Sequence, residues 1–245
     1  MLKAGGGLRL ARVQSVIALL VMSFALSIAT PAFLTIDNAL NILRQISVNL
    51  CLSIGMTIVI LTGGIDLSVG AVLALAGAVA AGLASAGVTW QALGVHLEIT
   101  VSGAILAALV VGGGLGLFNG VAVTKLRLPP FVATLAMLSI ARGFTFLWTG
   151  GYPITGMPRT LGFMGSGSWL GVPMQVWIVG VLAGAAILVN GQTAFGRHLY
   201  AVGGSERAAR LSGVSVNRTK LAVYVTCGAL SGLAGLLVTA RLDSA

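Results

Sequence analysis

One carboxylate, Asp66, sits in Thr62-Gly63-Gly64-Ile65-Asp66-Leu67-Ser68 between two long apolar runs. An acid in that setting is costly and by default marks a function. The paired glycines permit a break between helices. Such a break bares backbone N–H and C=O groups that only a cavity or packed protein can satisfy. Gly63, Gly64, Asp66 and Ser68 are therefore candidates for a translocation region. The structural alternative is that Asp66 and Ser68 cap the helix that follows. Arg142, within Ser139-Ile140-Ala141-Arg142-Gly143, is a second charge inside an apolar run. It needs a carboxylate, carbonyl groups or water. Asp66 is one possible partner, and snorkelling or a wet cavity is the other solution. Gly112, Gly116 and Gly120 recur every four residues, a spacing that puts them on one helix face for close helix packing. Gly180 with Gly184, and Gly228 with Gly232, read the same way. Asn119, beside the first stripe, has the groups to hydrogen-bond a neighbouring helix or a polar ligand.

A third constellation is polar. Gly203-Gly204-Ser205-Glu206-Arg207-Ala208-Ala209-Arg210-Leu211-Ser212-Gly213 reads as a short helix. Ser205 is its N-cap, Glu206 lies in its first turn, and Gly213 closes its C-terminus. Glu206 and Arg210 are spaced as an i,i+4 pair, worth roughly a few tenths of a kcal/mol. Such a helix either docks into another protein's groove or lies on lipid headgroups. Bond-making chemistry has no constellation. No GxxxxGK[ST] loop occurs, and none of Lys3, Lys125 and Lys220 ends a glycine loop. His96 and His198 have no triad partners, and two cysteines in apolar runs, Cys51 and Cys227, make no metal or disulfide framework. No cofactor is expected.

The elements that must position these residues follow from composition. Of 245 residues, 57% are hydrophobic and 8% charged. A soluble domain carries roughly 25% charged residues, so this chain lacks the polar surface to face water. High hydrophobicity excludes disorder, and the 35 glycines have no three-residue period. Seven continuous apolar segments, 13–30, 46–62, 67–87, 98–121, 131–149, 174–190 and 221–240, predict an all-α polytopic transmembrane fold in one domain, 1–245. The first segment ends in Ser27-Ile28-Ala29, as a cleavable signal does, but six further spans favour a retained signal anchor.

The net charge of +9 sits between the spans, where it sets orientation and does not point to nucleic acid. With the N-terminus cytoplasmic, Lys3, Arg9, Arg12, Lys125, Arg127, Arg197, Arg207, Arg210, Arg218 and Lys220 are inside. Arg44, Arg159 and Arg241 are outside. That orientation puts the Gly63–Ser68 turn and the 191–219 loop on the cytoplasmic side. The 150–173 segment is external, with irregular or short helical structure.

Three motifs carry a family resemblance. LTGGIDLSVGAVLALAGAVAAGLA at 61–84, GLFNGVAVTKLRLPPFVATLAMLSIARG at 116–143 and TAFGRHLYAVGGSERAARLSGVSVNRTKLAVY at 193–224 occur in that order. They resemble the permease subunits of ribose/xylose/galactoside-type bacterial ABC importers, in the branched-chain-amino-acid/sugar permease superfamily. The resemblance implies a multi-pass inner-membrane subunit that works as a homo- or heterodimer. It also implies docking of a cytoplasmic ABC ATPase and delivery of a sugar by an extracytoplasmic binding protein. The family's coupling helix falls on Gly203, Gly204, Glu206, Arg207, Ala208, Ala209, Arg210 and Gly213. Its translocation region includes Gly63–Ser68, with Asn119 in the matching stretch; Arg142 stays a candidate for that region on its intramembrane charge alone. Family members continue past the equivalent of Ala245, so the chain is expected to be C-terminally incomplete. The expected function is ATP-driven monosaccharide import. The alternatives are the same machine carrying nucleoside, autoinducer or branched-chain amino acid, a secondary transporter that runs without ATP, and an inactive truncated scaffold.

Overall fold

A computed structural model describes residues 5–90 and 94–245; Lys3, counted above for topology, lies outside the described residues. The chain divides into two compact units, Met1–Leu43 and Arg44–Ala245. In the first, α1 (Gly5–Ala29) carries the apolar stretch Val13–Ala29. A tight turn follows, and Thr35 caps the start of α2 (Ile36–Leu61) by accepting from the Asn38 backbone N–H at 3.2 Å. α2 continues into the second unit.

That unit holds α3 (Val69–Ala86), a short hairpin of β1 (Val88–Trp90) and β2 (Val95–Leu97), α4 (Val101–Thr124) and α5 (Pro130–Thr149). Then come α6 (Arg159–Ser166), a hairpin of β3 (Ser168–Trp169) and β4 (Val172–Pro173), and α7 (Met174–Gln192). α8 (Ala194–Gly204), α9 (Glu206–Leu211) and α10 (Val216–Leu242) complete it. Six helices, α2, α3, α4, α5, α7 and α10, are long and apolar enough to cross a membrane. With the shorter apolar stretch of α1, this is the all-α polytopic fold expected from about seven apolar runs. The second span begins ten residues earlier than its apolar run. Arg44 therefore lies inside α2 and not in an external segment, because helix geometry runs on past the point where hydropathy fades.

α10 is the most buried span. In lipid, apolar burial does not drive helices together; close approach of small residues does. A side chain at Gly112 would strike the Gly228 carbonyl, one at Gly116 the Tyr224 carbonyl, and one at Gly232 the Ala108 carbonyl. Gly77 of α3 and Gly235 of α10 face each other in the same way. The expected glycine seam is thus the α4–α10 interface. Gly180 and Gly184 are a correction: both look into open space on α7, so the same spacing there forms no interface among the described residues. Glycine spacing sets the face but not whether a partner covers it. The outer faces of α5 and α7 expose Phe131, Leu135, Phe146, Leu147, Val181 and Ile187, as lipid-facing or partner-facing surfaces do.

Candidate functional site

α2 stops at a glycine-made cap. Gly63 has φ +73° and donates to the Ile60 carbonyl at 2.9 Å, and Gly64 donates to the Val59 carbonyl at 3.1 Å. These are the two bonds of a Schellman closure, which needs a residue that tolerates left-handed backbone. Gly64 is required for another reason. A Cβ there would lie 2.8 Å from the Tyr224 hydroxyl and 3.0 Å from Val59 Cγ1. The pair predicted to break the helix does so, with one glycine for conformation and one for space.

Beyond the cap the chain enters a buried polar knot. Asp66 is 4% exposed, Ser68 0% and Asn119 1%. Asp66 Oδ1 accepts from the Ser68 backbone N–H at 2.9 Å and from Ser68 Oγ at 2.6 Å. Asn119 Nδ2 of α4 donates to Ser68 Oγ at 2.9 Å. Asp66 thus holds the start of α3, part of the capping role, whereas Ser68 makes no cap and spends its hydroxyl inside the knot. Thr134 of α5 donates to the Pro130 carbonyl at 2.9 Å and stands 3.4 Å from the Ile65 carbonyl. From α10, the Tyr224 hydroxyl and the Cys227 thiol stand beside the Asp66 carboxylate. Neither Asn119 Oδ1 nor the Tyr224 hydroxyl has a hydrogen-bond partner among the described residues. The sequence does not mark Tyr224 or Thr134, and it marks Cys227 only as a cysteine within an apolar run. The only signal was polar groups within apolar spans, which small-residue packing explains equally well.

An apolar shell closes the knot: Ile58 and Val59 of α2, Ala122 of α4, Ala133 of α5, Leu199 of α8 and Val223 of α10. With α3, which starts in the knot, five spans and one short helix therefore meet at the break. Its position along the molecule is fixed by α8. Any side chain at Gly203 would collide with the Leu61 carbonyl, the last residue of α2. The break thus lies at the end of the bundle that carries the 193–215 connection.

Arg142 does not join this knot. Asp66 is bonded to Ser68, and Arg142 is exposed on α5 in a groove of about 360 Å³ with Leu67, Ala71, Ala74, Thr145 and Phe146. The proposed Asp66–Arg142 pair is therefore not formed. The 3.6-residue turn of α5 directs Met137 and Ala141 towards α3 and leaves residue 142 on the flank. Arg142 sits twelve residues, roughly 18 Å, beyond the start of α5.

The predicted coupling segment is two helices. Gly203 and Gly204 end α8, and Ser205 then starts α9 by accepting from the Ala208 N–H at 3.2 Å. Gly213, at φ +82°, donates to the Arg210 carbonyl at 3.1 Å and closes it. Ala209 is buried with Val202 and Val216, while Glu206, Arg207, Ala208, Arg210 and Leu211 stay exposed. Glu206 pairs with Lys220 of α10. The expected Glu206–Arg210 pair is thus replaced, because α10 brings a cation to the acid from outside the helix.

A bundle of apolar spans with a polar break on one side and a short exposed helix below it is a multi-pass membrane permease architecture. The family described as "Branched-chain amino acid transport system / permease component" matches residues 38–245, and the chain belongs to that family. Among curated relatives, the ribose import permease protein RbsC of Escherichia coli (strain K12) is 46% identical over 95% of this chain and 70% of its own length. RbsC of Bacillus subtilis (strain 168) is 44% identical over 94% and 68%. The autoinducer 2 import system permease protein LsrC of Klebsiella pneumoniae is 36% identical over 93% and 62%. No solved structure matches.

Proposed function

We propose that the chain is the permease subunit of an ATP-driven ABC importer for a monosaccharide, a ribose-like pentose or related sugar, in a bacterial inner membrane. The observation that carries this reading is 46% identity to a ribose import permease across 95% of the chain. The permease makes and breaks no bonds. A cytoplasmic ABC ATPase docks on the exposed face of α9 through Arg207, Ala208, Arg210 and Leu211, with Glu206 held by Lys220. An extracytoplasmic binding protein delivers the sugar, and a second permease subunit completes the pathway.

The route of force runs from α9 through the Ala209–Val202 contact into α8, and from Gly203 onto the end of α2 at the break. In this conformation Asp66, Ser68 and Asn119 are shut away, so the knot holds the break closed and does not meet solute. Displacing α8 loosens the knot and frees Gly63–Ser68 to move. For ATP to drive the cycle, α9 must bind the two nucleotide states of the ATPase with different affinity. The Arg142 groove is the face of α3 and α5 turned to water or to the second subunit, since a guanidinium at that depth is unfavourable in lipid.

The test is uptake by vesicles holding the permease with its ATPase and binding protein. ATP-dependent ribose accumulation supports the reading. Accumulation of autoinducer 2 instead moves the cargo to the LsrC-like alternative, and uptake without ATP removes the ABC reading.

A further inference from the structure

At the end of the bundle that holds the α2–α3 break, a cavity of about 460 Å³ is lined by Lys125, Arg127, Glu206, Arg210, Asn217 and Lys220. Its charges come from three places in the chain: the α4–α5 connection, α9 and the start of α10. Four cations face one acid, and that acid is taken by Lys220. Lys125, Arg127 and Arg210 have no carboxylate within ion-pair distance among the described residues. The backbone adds to the imbalance. α10 has no acidic residue in its first turn, where the helix dipole favours a negative charge; Asn217 stands there and Lys220 follows just beyond it. Arg127 adopts φ +56°, a conformation normally left to glycine, and the chain is closed there by the Leu128 N–H donating to the Ala122 carbonyl at 3.1 Å. A strained arginine, an unneutralised helix start and three unpaired cations around one hollow are the arrangement of an anion site.

We infer that this pocket binds the phosphate of an anionic phospholipid headgroup. Phosphate is the chemistry shared by a lipid and a free anion, and the surroundings select the lipid. Leu126 and Leu128, which flank Arg127, are 65% and 40% exposed. Cations interleaved with exposed leucines at the end of membrane spans suit a headgroup with its acyl chains beside it. The end of the bundle is also the cationic one, where anionic lipids of the inner leaflet gather around basic pockets between helices. A lipid seated there bridges α4, α9 and α10, and so steadies the segment that faces the cytoplasm. The inference needs only the membrane reading of the chain, not the identity of its cargo.

The experiment is native mass spectrometry of the purified full chain in detergent, offered phosphatidylglycerol and phosphatidylcholine in equal amounts. The chain is expected to retain phosphatidylglycerol about tenfold over phosphatidylcholine. The double variant Lys125→Gln with Arg127→Gln, outside the proposed ATPase-docking face, is expected to lose that preference, since each cation near the surface contributes appreciably. Arg159→Gln, on a separate helix, is expected to keep it. Equal retention of the two lipids by the unmodified chain overturns the inference, as does a preference that the double variant keeps. Binding of added inorganic phosphate without any lipid preference also overturns it, and gives the pocket to a free anion.

Discussion

Asp66 is bonded twice to Ser68 and surrounded by Asn119, Tyr224 and Cys227, so two roles are superposed on one side chain. It orders the break, and it places a charge beside the spans. Substitution by Asn separates them, because an amide oxygen still accepts from Ser68 while the charge is gone. Asp66→Asn is expected to keep folded yield close to that of the unmodified chain and to cut uptake at least about tenfold. Asp66→Ala removes the bonds as well and leaves Ser68 Oγ with Asn119 alone, at a cost of about 1–3 kcal/mol. Melting of the purified variants, set beside their uptake, checks both. Parallel losses in Asp66→Asn would leave Asp66 with the structural role only. The sequence made Asp66, Ser68, Asn119 and the paired glycines visible because polar groups stand out against apolar runs. It did not make their partners visible. Ser68 meets Asn119 fifty-one positions away, and such a pair depends on how α3 and α4 pack.

At the scale of elements, the seam between α4 and α10 holds the unit together, and the apolar face of α7 is open. Gly112→Leu forces a side chain into the Gly228 carbonyl and is expected to cost about 3 kcal/mol or more, or to abolish folded protein. Gly180→Leu, with open space before it, is expected to shift stability by less than about 0.5 kcal/mol. Thermal unfolding in detergent compares the two; equal destabilisation would contradict the packing described. The four-residue spacing was identical in both helices, so sequence marked the faces and three-dimensional packing chose between them. The span limits were legible from hydropathy to within a few residues except at the starts of α1, α2 and α10, whose polar first turns belong to the same helices as the apolar runs. α9 was legible from its cap, Ser205, and its closing Gly213, but not the acid's partner. Glu206 and Lys220 pair across two helices at the surface, worth roughly 0–1 kcal/mol. Glu206→Lys is expected to weaken ATPase association with little loss of stability, and Lys220→Glu added to it to restore part of the binding. Pull-down of the ATPase by the single and double variants measures this, and unchanged association in both would remove α9 from the docking surface.

The whole molecule joins two ends of different character. Trp169 and Trp177 meet at the end away from the break, where Trp177 Nε1 donates to the Trp169 carbonyl at 3.2 Å and the two rings meet edge to face at 5.2 Å, and Trp148, near the end of α5, donates to the Ala78 carbonyl of α3. Aromatic side chains of this kind sit at membrane–water interfaces. The cations gather at the other end, with the break, α8 and α9. The polar knot lies at the cationic end, beside α8 and α9; under the proposed function that end faces the cytoplasm and moves, and the aromatic end anchors. The most direct measurement is uptake of labelled ribose by proteoliposomes containing the permease, its ATPase and its binding protein, with ATP inside, compared with ADP. The account predicts ATP-dependent accumulation that falls at least about tenfold when Asp66→Asn replaces the unmodified chain. Equal accumulation with ATP and ADP, or none of any sugar with all three components assembled, would contradict it.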